Sequence, residues 1–129
     1  MYPDNLKYVP SHQWVKSEEM MVTLGITQYG QKKMGDIVYV ELPTKGKKIK
    51  KGEALCTVES AKAAFDVLSP VSGEVVQVNE KLSEDPSSVN KDPYGEGWLV
   101  KIKIVDPSEL DSLLTSTEYE DLIQKESDQ

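Results

Sequence analysis

A β-hairpin is predicted by the stretch Val58-Glu59-Ser60-Ala61-Lys62-Ala63-Ala64-Phe65-Asp66-Val67, near the middle of the 129-residue chain. β-branched and aromatic residues occupy both outer parts of the stretch, as in strands. The two halves meet at Ala61-Lys62-Ala63, so the sequence predicts Lys62 at the hairpin tip. The long lysine stem would carry its amine away from the backbone. Because a lysine in a turn is most often only a solvated charge, this stretch alone assigns no function.

Short strand-like runs separated by turn residues occupy most of the chain on either side of this hairpin. They lie at residues 20–24, 37–42, 54–59, 64–68, 74–78 and 98–104. A lysine-rich segment, Thr44 to Gly52, has two glycines and predicts an exposed turn region around one short strand. Strands at such short spacing, with few helices between them, predict a small barrel or sandwich.

Helices are predicted at two places only. Thr27 to Met34 has Thr27 as its N-cap and Gly35 just past its end. Near the C-terminus, Asp106 precedes a proline at the first helical position, and a second helix restarts at Thr115 or Thr117. We expect a single domain over residues 1–129, with a core at about 6–105 and a C-terminal helical extension at about 106–125.

Composition excludes several classes of function. The formal charge is 15 − 22 = −7, which argues against nucleic acid as a partner. It suits docking on basic protein surfaces, and plain solubility explains it equally well. His12 is the only histidine and Cys56 the only cysteine, so a zinc site and an internal disulfide are not expected, and Cys56 is predicted to be a buried packing thiol. The sequence contains no glycine-rich phosphate loop of a common pattern, and a membrane span, a signal peptide and a self-contained enzyme are not expected.

Several motifs, in order along the chain, resemble the H-protein family of the glycine cleavage system. The hairpin stretch is similar to the lipoyl attachment loop of that family. The other similar stretches are Ser11-His12-Gln13-Trp14-Val15, Leu24-Gly25-Ile26-Thr27, residues 35–43, residues 69–75, Val78-Asn79 and residues 90–99. The resemblance covers roughly residues 6 to 123. Several motifs in the right order are far more specific than any one of them.

The resemblance implies a mostly β, lipoyl-domain-like barrel-sandwich of two antiparallel sheets, with short helices that include C-terminal ones. It implies lipoate covalently attached to Lys62. Biotin is not expected, because Ala61 and Ala63 stand where biotin-carrying domains normally have methionines. The chain would be a carrier subunit and not an enzyme, in the bacterial cytoplasm, or in the mitochondrial matrix if a transit peptide was removed.

The same resemblance implies the partners of the chain. An aminomethyl group would pass from glycine decarboxylase (P protein) to the aminomethyltransferase (T protein), and dihydrolipoyl dehydrogenase (L protein) would reoxidise the carrier. A lipoate ligase or a lipoyl/octanoyl transferase would attach the cofactor. The carrier itself is expected to be a monomer.

A surface cleft that shelters the loaded arm is also implied, lined by Ser11, Gln13 and Asp66, with His12 either in a structural role at its edge or in contact with the arm. Glu59 is expected to be a recognition residue for the lipoylating enzyme or simply a charge at a strand end.

Two positions depart from the family pattern. Gln13 stands where the family usually has glutamate, and Phe65 is bulkier than the usual residue. Either the changes are tolerated drift, or the chain serves another client as an H-like carrier for lipoyl relay or sulfur redox metabolism. A third hypothesis is a non-carrier binding module with an unmodified Lys62.

Overall fold

A computed structural model describes residues 2–127 and contains two antiparallel β-sheets. The six-stranded sheet has the order β1-β2-β3-β9-β8-β5, and the three-stranded sheet has the order β4-β6-β7. The strands are β1 (Lys7–Val9), β2 (Gln13–Glu18), β3 (Met21–Ile26), β4 (Ile37–Glu41), β5 (Lys48–Ile49), β6 (Ala54–Ser60), β7 (Ala64–Leu68), β8 (Gly73–Val78) and β9 (Val100–Ile104). The helices are α1 (Gln28–Met34), a 3-10 helix (Glu80–Ser83), α2 (Ser88–Lys91), a second 3-10 helix (Pro107–Ser112) and α3 (Ser116–Ser127).

The main core lies between the two sheets and follows from the alternation of side chains along each strand. In β6, Val58 is fully buried, whereas its neighbour Glu59 is half-buried on the outer face. Cys56 lies in the same core, as predicted, and burial raises the pKa of its thiol to about 12. The predicted sandwich of two antiparallel sheets is confirmed. None of the helices within residues 2–127 is long and apolar enough to cross a membrane.

The predicted helix near Thr27 is confirmed, with the expected caps. The Thr27 hydroxyl accepts the backbone N–H of Gly30 at 3.0 Å, and α1 ends at Gly35, whose φ of 87° is a conformation that favours glycine. Gly35 therefore stops the helix and turns the chain into β4.

Both predicted C-terminal helices are present, and the first of them is a 3-10 helix. Asp106 caps its helix by accepting the N–H of Ser108 at 3.0 Å, but residues 107–112 form a 3-10 helix rather than an α-helix. Helix α3 follows Thr115, whose hydroxyl accepts the N–H of Glu118 at 3.2 Å while the Glu118 carboxylate accepts the N–H of Thr115 at 2.9 Å. This reciprocal capping box explains why the second helix restarts there.

Two short helices between residues 80 and 91 were not predicted. Each has only four residues, too few for a helical repeat of apolar positions to be visible in the sequence. Each contributes one fully buried side chain, Leu82 and Val89, to the main core. Tertiary packing, rather than a local pattern, therefore selects the helical turns here.

A second, smaller core joins α3 to the first strands. Tyr8 and Tyr119 are both fully buried, and their rings stack with centroids 4.8 Å apart. The backbone supports the same contact, because Tyr8 and Leu114 exchange two hydrogen bonds of 2.8 Å. Trp14 completes the cluster and donates its indole N–H to the carbonyl of Pro93 at 2.9 Å. The C-terminal helix is thus packed against β1 and β2.

Candidate functional site

Lys62 lies at the exposed tip of the hairpin formed by β6 and β7. The two strands pair in antiparallel register up to Glu59 and Ala64. The N–H of Ser60 then donates to the carbonyl of Ala63 at 2.7 Å, which closes the turn around Lys62. Within residues 2–127 the Lys62 ammonium makes no ion pair. Its nitrogen is therefore presented to solvent without a competing partner.

The hydroxyl of Ser60 fixes the shape of this turn from beneath. It accepts the backbone N–H groups of Lys62 at 3.3 Å and of Ala63 at 3.2 Å, and it donates to the Ala63 carbonyl at 3.2 Å. Ser60 is itself buried. Sequence reasoning missed this residue, although a serine two positions before a turn residue is a known local signal for such capping.

The hairpin tip also rests on the loop between α1 and β4. The N–H of Ala61 donates to the carbonyl of Asp36 at 3.1 Å. The Lys62 stem passes beside Gly35, because a β-carbon at that glycine would lie 3.7 Å from Cε of Lys62. The tip is consequently held at a defined position against a second segment.

Asn90 in turn holds that loop. Its side-chain oxygen accepts the N–H of Ile37 at 2.8 Å, and its side-chain nitrogen donates to the Gly35 carbonyl at 3.0 Å and to the Gln31 side-chain oxygen at 2.8 Å. The Asn90 side chain thus forms hydrogen bonds with three groups in and beside the loop against which the Lys62 turn rests. No local pattern marks Asn90, because its partners lie more than fifty residues away in the sequence.

Two of the expected cleft residues, Ser11 and Gln13, are brought together. The Ser11 hydroxyl donates to the Gln13 side-chain oxygen at 2.7 Å, and the Gln13 amide nitrogen donates back to the Ser11 carbonyl at 2.9 Å. Gln13 is buried while Ser11 is exposed, so Ser11 covers the Gln13 amide. The carboxamide contributes no charge and already has a partner at each end.

Asp66 and Glu59 lie on the other sheet, on the outer face of the hairpin. Asp66 stands opposite Thr57 in the strand register and accepts a hydrogen bond from its hydroxyl at 3.1 Å. Strands β4, β6 and β7 contain no basic residue, and their charged side chains are the carboxylates of Glu41, Glu59 and Asp66. An acidic face beside Lys62 suits a basic partner surface.

A cavity of about 250 Å³ lies between Ser11 and the end of β7, and neither Gln13 nor Asp66 lines it. It is lined by Ser11 on the side of the six-stranded sheet and by Leu68 at the end of β7. Ala64, Asp66 and Leu68 are all exposed and lie on one face of β7. At a rise of ~3.3 Å per residue, this row runs about 13 Å from the hairpin tip to the cavity. The row and the cavity together form a surface path from the Lys62 turn to Ser11.

The His12 ring contacts residues of helices α1 and α3. Its Nδ1 lies 2.8 Å from the hydroxyl of Tyr119, and its Nε2 lies 3.3 Å from the Glu126 carboxylate. The ring also packs edge-on against Tyr29, and it is absent from the lining of the cavity. Burial lowers the pKa of His12, partly offset by the Glu126 charge and hydrogen bond.

These features define a class: a β-sandwich that presents one free lysine at the tip of a fixed hairpin, as a carrier of a covalently attached group requires. The family model for the glycine cleavage H-protein matches residues 6–126. The chain therefore belongs to the glycine cleavage H-protein family.

Named relatives and a solved structure agree with this assignment. The chain is 53% identical to a probable glycine cleavage system H protein of Aeropyrum pernix, over 94% of this chain and 85% of that one. It is 51% identical to a mitochondrial glycine cleavage system H protein of Oryza sativa, over 90% and 71%. A crystal structure of the H protein from Mycobacterium marinum aligns with a TM-score of 0.88 at 32% identity, over 95% of this chain and 99% of that one.

Proposed function

We propose that this chain is the lipoyl carrier of a glycine cleavage system, acting as one carrier domain over residues 1–129 and not as an enzyme. The observation that supports this most directly is the setting of Lys62. The residue is exposed, unpaired within residues 2–127, and held at the tip of a hairpin that is itself docked on another segment. A modifying enzyme could reach such an amine without rearranging the fold.

The chain's own residues would present and shelter the arm. Lipoate, amide-linked to Lys62, would supply the dithiolane that carries the aminomethyl group and is reduced and reoxidised. Ser60 and Asn90 would hold the tip, and Ala61 and Ala63 would leave the amine accessible. The row from the tip to the cavity would give the arm a resting place beside Ser11.

The proposed clients are glycine decarboxylase, the aminomethyltransferase and dihydrolipoyl dehydrogenase, with a lipoate ligase or lipoyl transferase as modifying enzyme. The acidic outer face beside Lys62, including Glu59, would meet basic surfaces around their active sites. Tethering raises the effective concentration of the reactive group at each client without a tight complex. The carrier would work as a monomer in a bacterial cytoplasm or in a mitochondrial matrix.

Intact-mass spectrometry tests the carrier role. The protein would be expressed with lipoate and a lipoate ligase, alongside Lys62→Arg and a control variant, Lys81→Arg, at another exposed lysine. We expect one lipoyl addition on the wild type and on Lys81→Arg, and none on Lys62→Arg. An unmodified wild type, or an addition that survives Lys62→Arg, would refute the proposal and favour a non-carrier module.

A second client reaction is the alternative that one observation favours. The Gln13 amide is neutral and hydrogen-bonded to Ser11, so it offers a cationic aminomethyl group no negative charge with which to form an ion pair. Reconstitution with glycine decarboxylase decides between the clients. If the lipoylated chain supports no glycine–bicarbonate exchange while Gln13→Glu and a standard H protein do, glycine cleavage is not its reaction.

A further inference from the structure

His12 is tied to three different elements of the fold. Its backbone N–H donates to the carbonyl of Val9 at 2.8 Å, and its carbonyl accepts the N–H of Thr27, the N-cap of α1, at 3.0 Å. Its two ring nitrogens contact Tyr119 and Glu126 of α3 at 2.8 and 3.3 Å. Both main-chain polar groups and both ring nitrogens are thus engaged, which is more than packing alone requires.

The acceptors around the ring assign its tautomer. The Glu126 carboxylate accepts only, so Nε2 carries the proton and Nδ1 of the neutral ring is an acceptor. The Tyr119 hydroxyl then donates to Nδ1 and accepts from the Thr27 hydroxyl, which lies 2.6 Å away. Thr27 in turn accepts the N–H of Gly30 at 3.0 Å. The result is a one-way relay from α1 through α3 to His12 in which each donor has one acceptor.

This relay bears on Ser11 and Gln13 through the backbone of the residue between them. His12 has a φ of 75°, a left-handed conformation that a non-glycine residue adopts rarely. The hydrogen-bonded ring between Ser11 and Gln13 spans this one residue, so its closure depends on that backbone conformation. The contacts of the His12 ring with Tyr119 and Glu126 hold this residue together with its two backbone hydrogen bonds.

We propose that His12 is a positioning residue: through Tyr119 of α3, its neutral ring holds the hydrogen-bonded Ser11–Gln13 pair in the orientation that places Ser11 at the cavity. The residue does not itself touch the arm. The relevance of this pair to a carried group rests on the proposed function, whereas the coupling between His12 and Gln13 is a property of the unmodified protein.

Protonation of His12 breaks the relay. A proton on Nδ1 would face the Tyr119 hydroxyl, which must then turn toward Thr27, and the Thr27 hydroxyl loses its acceptor. The charged and titratable groups that face the ring are Glu126 and Tyr119 from α3 and Lys33 and Tyr29 from α1. Glu126 favours the protonated ring and Lys33 opposes it, while burial disfavours it.

Nitrogen-15 NMR of the unmodified protein tests the coupling. The side-chain amide of Gln13 and the ring of His12 would be followed from about pH 8 to about pH 5, a range around the ordinary histidine pKa. We expect the Gln13 amide signal to shift with the same midpoint as the His12 ring, below the midpoint of a free histidine. Gln77, an exposed residue on β8, provides a control amide that should not move.

Three variants separate the side chain from the backbone. Asparagine tolerates a left-handed φ and offers a neutral acceptor, so His12→Asn should keep the Gln13 signal of the wild type and lose its pH dependence. His12→Gly allows the same left-handed backbone conformation but removes the ring. The Gln13 signal should therefore lie near that of an exposed amide at every pH. Tyr119→Phe removes the hydroxyl donor to neutral Nδ1 and should raise the His12 midpoint.

The outcomes discriminate clearly. A Gln13 signal that is the same in His12→Gly as in the wild type, or that ignores the titration of His12, would overturn the proposal even if Lys62 is lipoylated. With the lipoylated protein, we expect His12→Gly to lower the rate of glycine–bicarbonate exchange and His12→Asn to restore it. Loss of exchange in all proteins with the NMR coupling intact would refute the proposed function and leave the coupling standing.

Discussion

Two hairpins of this molecule have strands of similar length but are held in different ways. The hairpin of β2 and β3 lies inside the six-stranded sheet, with β1 on one side and β9 on the other. Its turn at Glu19 and Met20 is exposed. The hairpin of β6 and β7 belongs to a three-stranded sheet and has β7 as a free edge, yet its tip is fixed by Ser60 and by the loop that Asn90 holds.

The first hairpin contributes mainly to the stability of the fold, whereas the tip of the second presents Lys62 to solvent. The β2–β3 hairpin buries Trp14, Val22 and Leu24 and is fixed along its length by neighbouring strands. In the β6–β7 hairpin, specific hydrogen bonds hold the tip, where Lys62 is exposed. Changes to the first hairpin should therefore affect the free energy of unfolding, whereas changes at the tip of the second should affect mainly how Lys62 is presented.

The largest effect is expected from Gly25→Ala in the first hairpin. A β-carbon at Gly25 would overlap the indole ring of Trp14, which is buried and cannot move freely. Overpacking of this kind costs about 1–3 kcal/mol and occasionally more, so we expect about 3 kcal/mol loss in denaturant unfolding. Lipoylation of the folded fraction should be unchanged.

A double variant with Trp14→Phe is the control for this steric cause. The smaller ring should recover part of the loss, and the two changes should not be additive. Additive losses would show that Gly25 acts through backbone conformation and not through the indole contact.

A smaller effect is expected from Asn90→Ala beneath the second hairpin. The variant leaves the N–H of Ile37 and the carbonyl of Gly35 without their partner, at a cost of about 2 kcal/mol for partly buried groups. Because the loop also supports the tip, the rate of ligase-catalysed lipoylation should fall. Asn5→Ala, at an exposed asparagine, should change neither quantity. Unaltered lipoylation in Asn90→Ala would break the proposed link between the loop and Lys62.

Ser60→Ala should lower the free energy of unfolding less than Asn90→Ala does, but it should act directly on how the turn presents Lys62. It removes the acceptor of two turn N–H groups near the surface, which is comparable to losing a helix cap at about 1 kcal/mol. If the same free energy of about 1 kcal/mol is lost from the docked state of the tip, the ratio of docked to undocked tips falls by a factor of about 5. This change is measurable as a slower lipoylation rate. Ser60→Thr keeps the hydroxyl and should retain the rate, and Ser17→Ala in the other hairpin should have no effect.

The smallest effect is the pH dependence of unfolding contributed by His12. Its folded pKa is lowered below the ordinary value of 6.5, chiefly by burial, so the unfolded state binds the proton first as the pH falls. The contribution is therefore fully present above about pH 6.5 and is lost as the pH falls through the folded pKa.

Unfolding titrations at about pH 7.5 and about pH 5.5 would measure this, since histidine titrates in that range. The wild type should lose more stability than His12→Asn over this interval. Glu126 does not confuse the comparison, because its pKa is lowered from 4.5 and its own loss occurs at lower pH. Equal losses in the two proteins would exclude His12 as the titrating group.

Much of the fold was predictable because its signals are local. Alternating strands, the N-cap at Thr27 and the glycine at position 35 each act within a few residues, and the structure confirms them. The four-residue helices between residues 80 and 91 were not predictable, since their buried residues Leu82 and Val89 are selected by the main core rather than by a repeat. The 3-10 geometry after Asp106 was missed for a related reason, because capping signals do not distinguish it from an α-helix.

The sequence by itself determined which residue occupies the hairpin tip and which family the chain resembles, because turn chemistry and ordered motifs are written along the chain. Only the tertiary structure decided how the tip is held and where the neighbouring residues point. Asn90 reaches Gly35 and Ile37 across more than fifty residues, and His12 turns from Ser11 toward Tyr119 across more than a hundred. Contacts at such separations depend on how the sheets and α3 pack, and no local pattern encodes them.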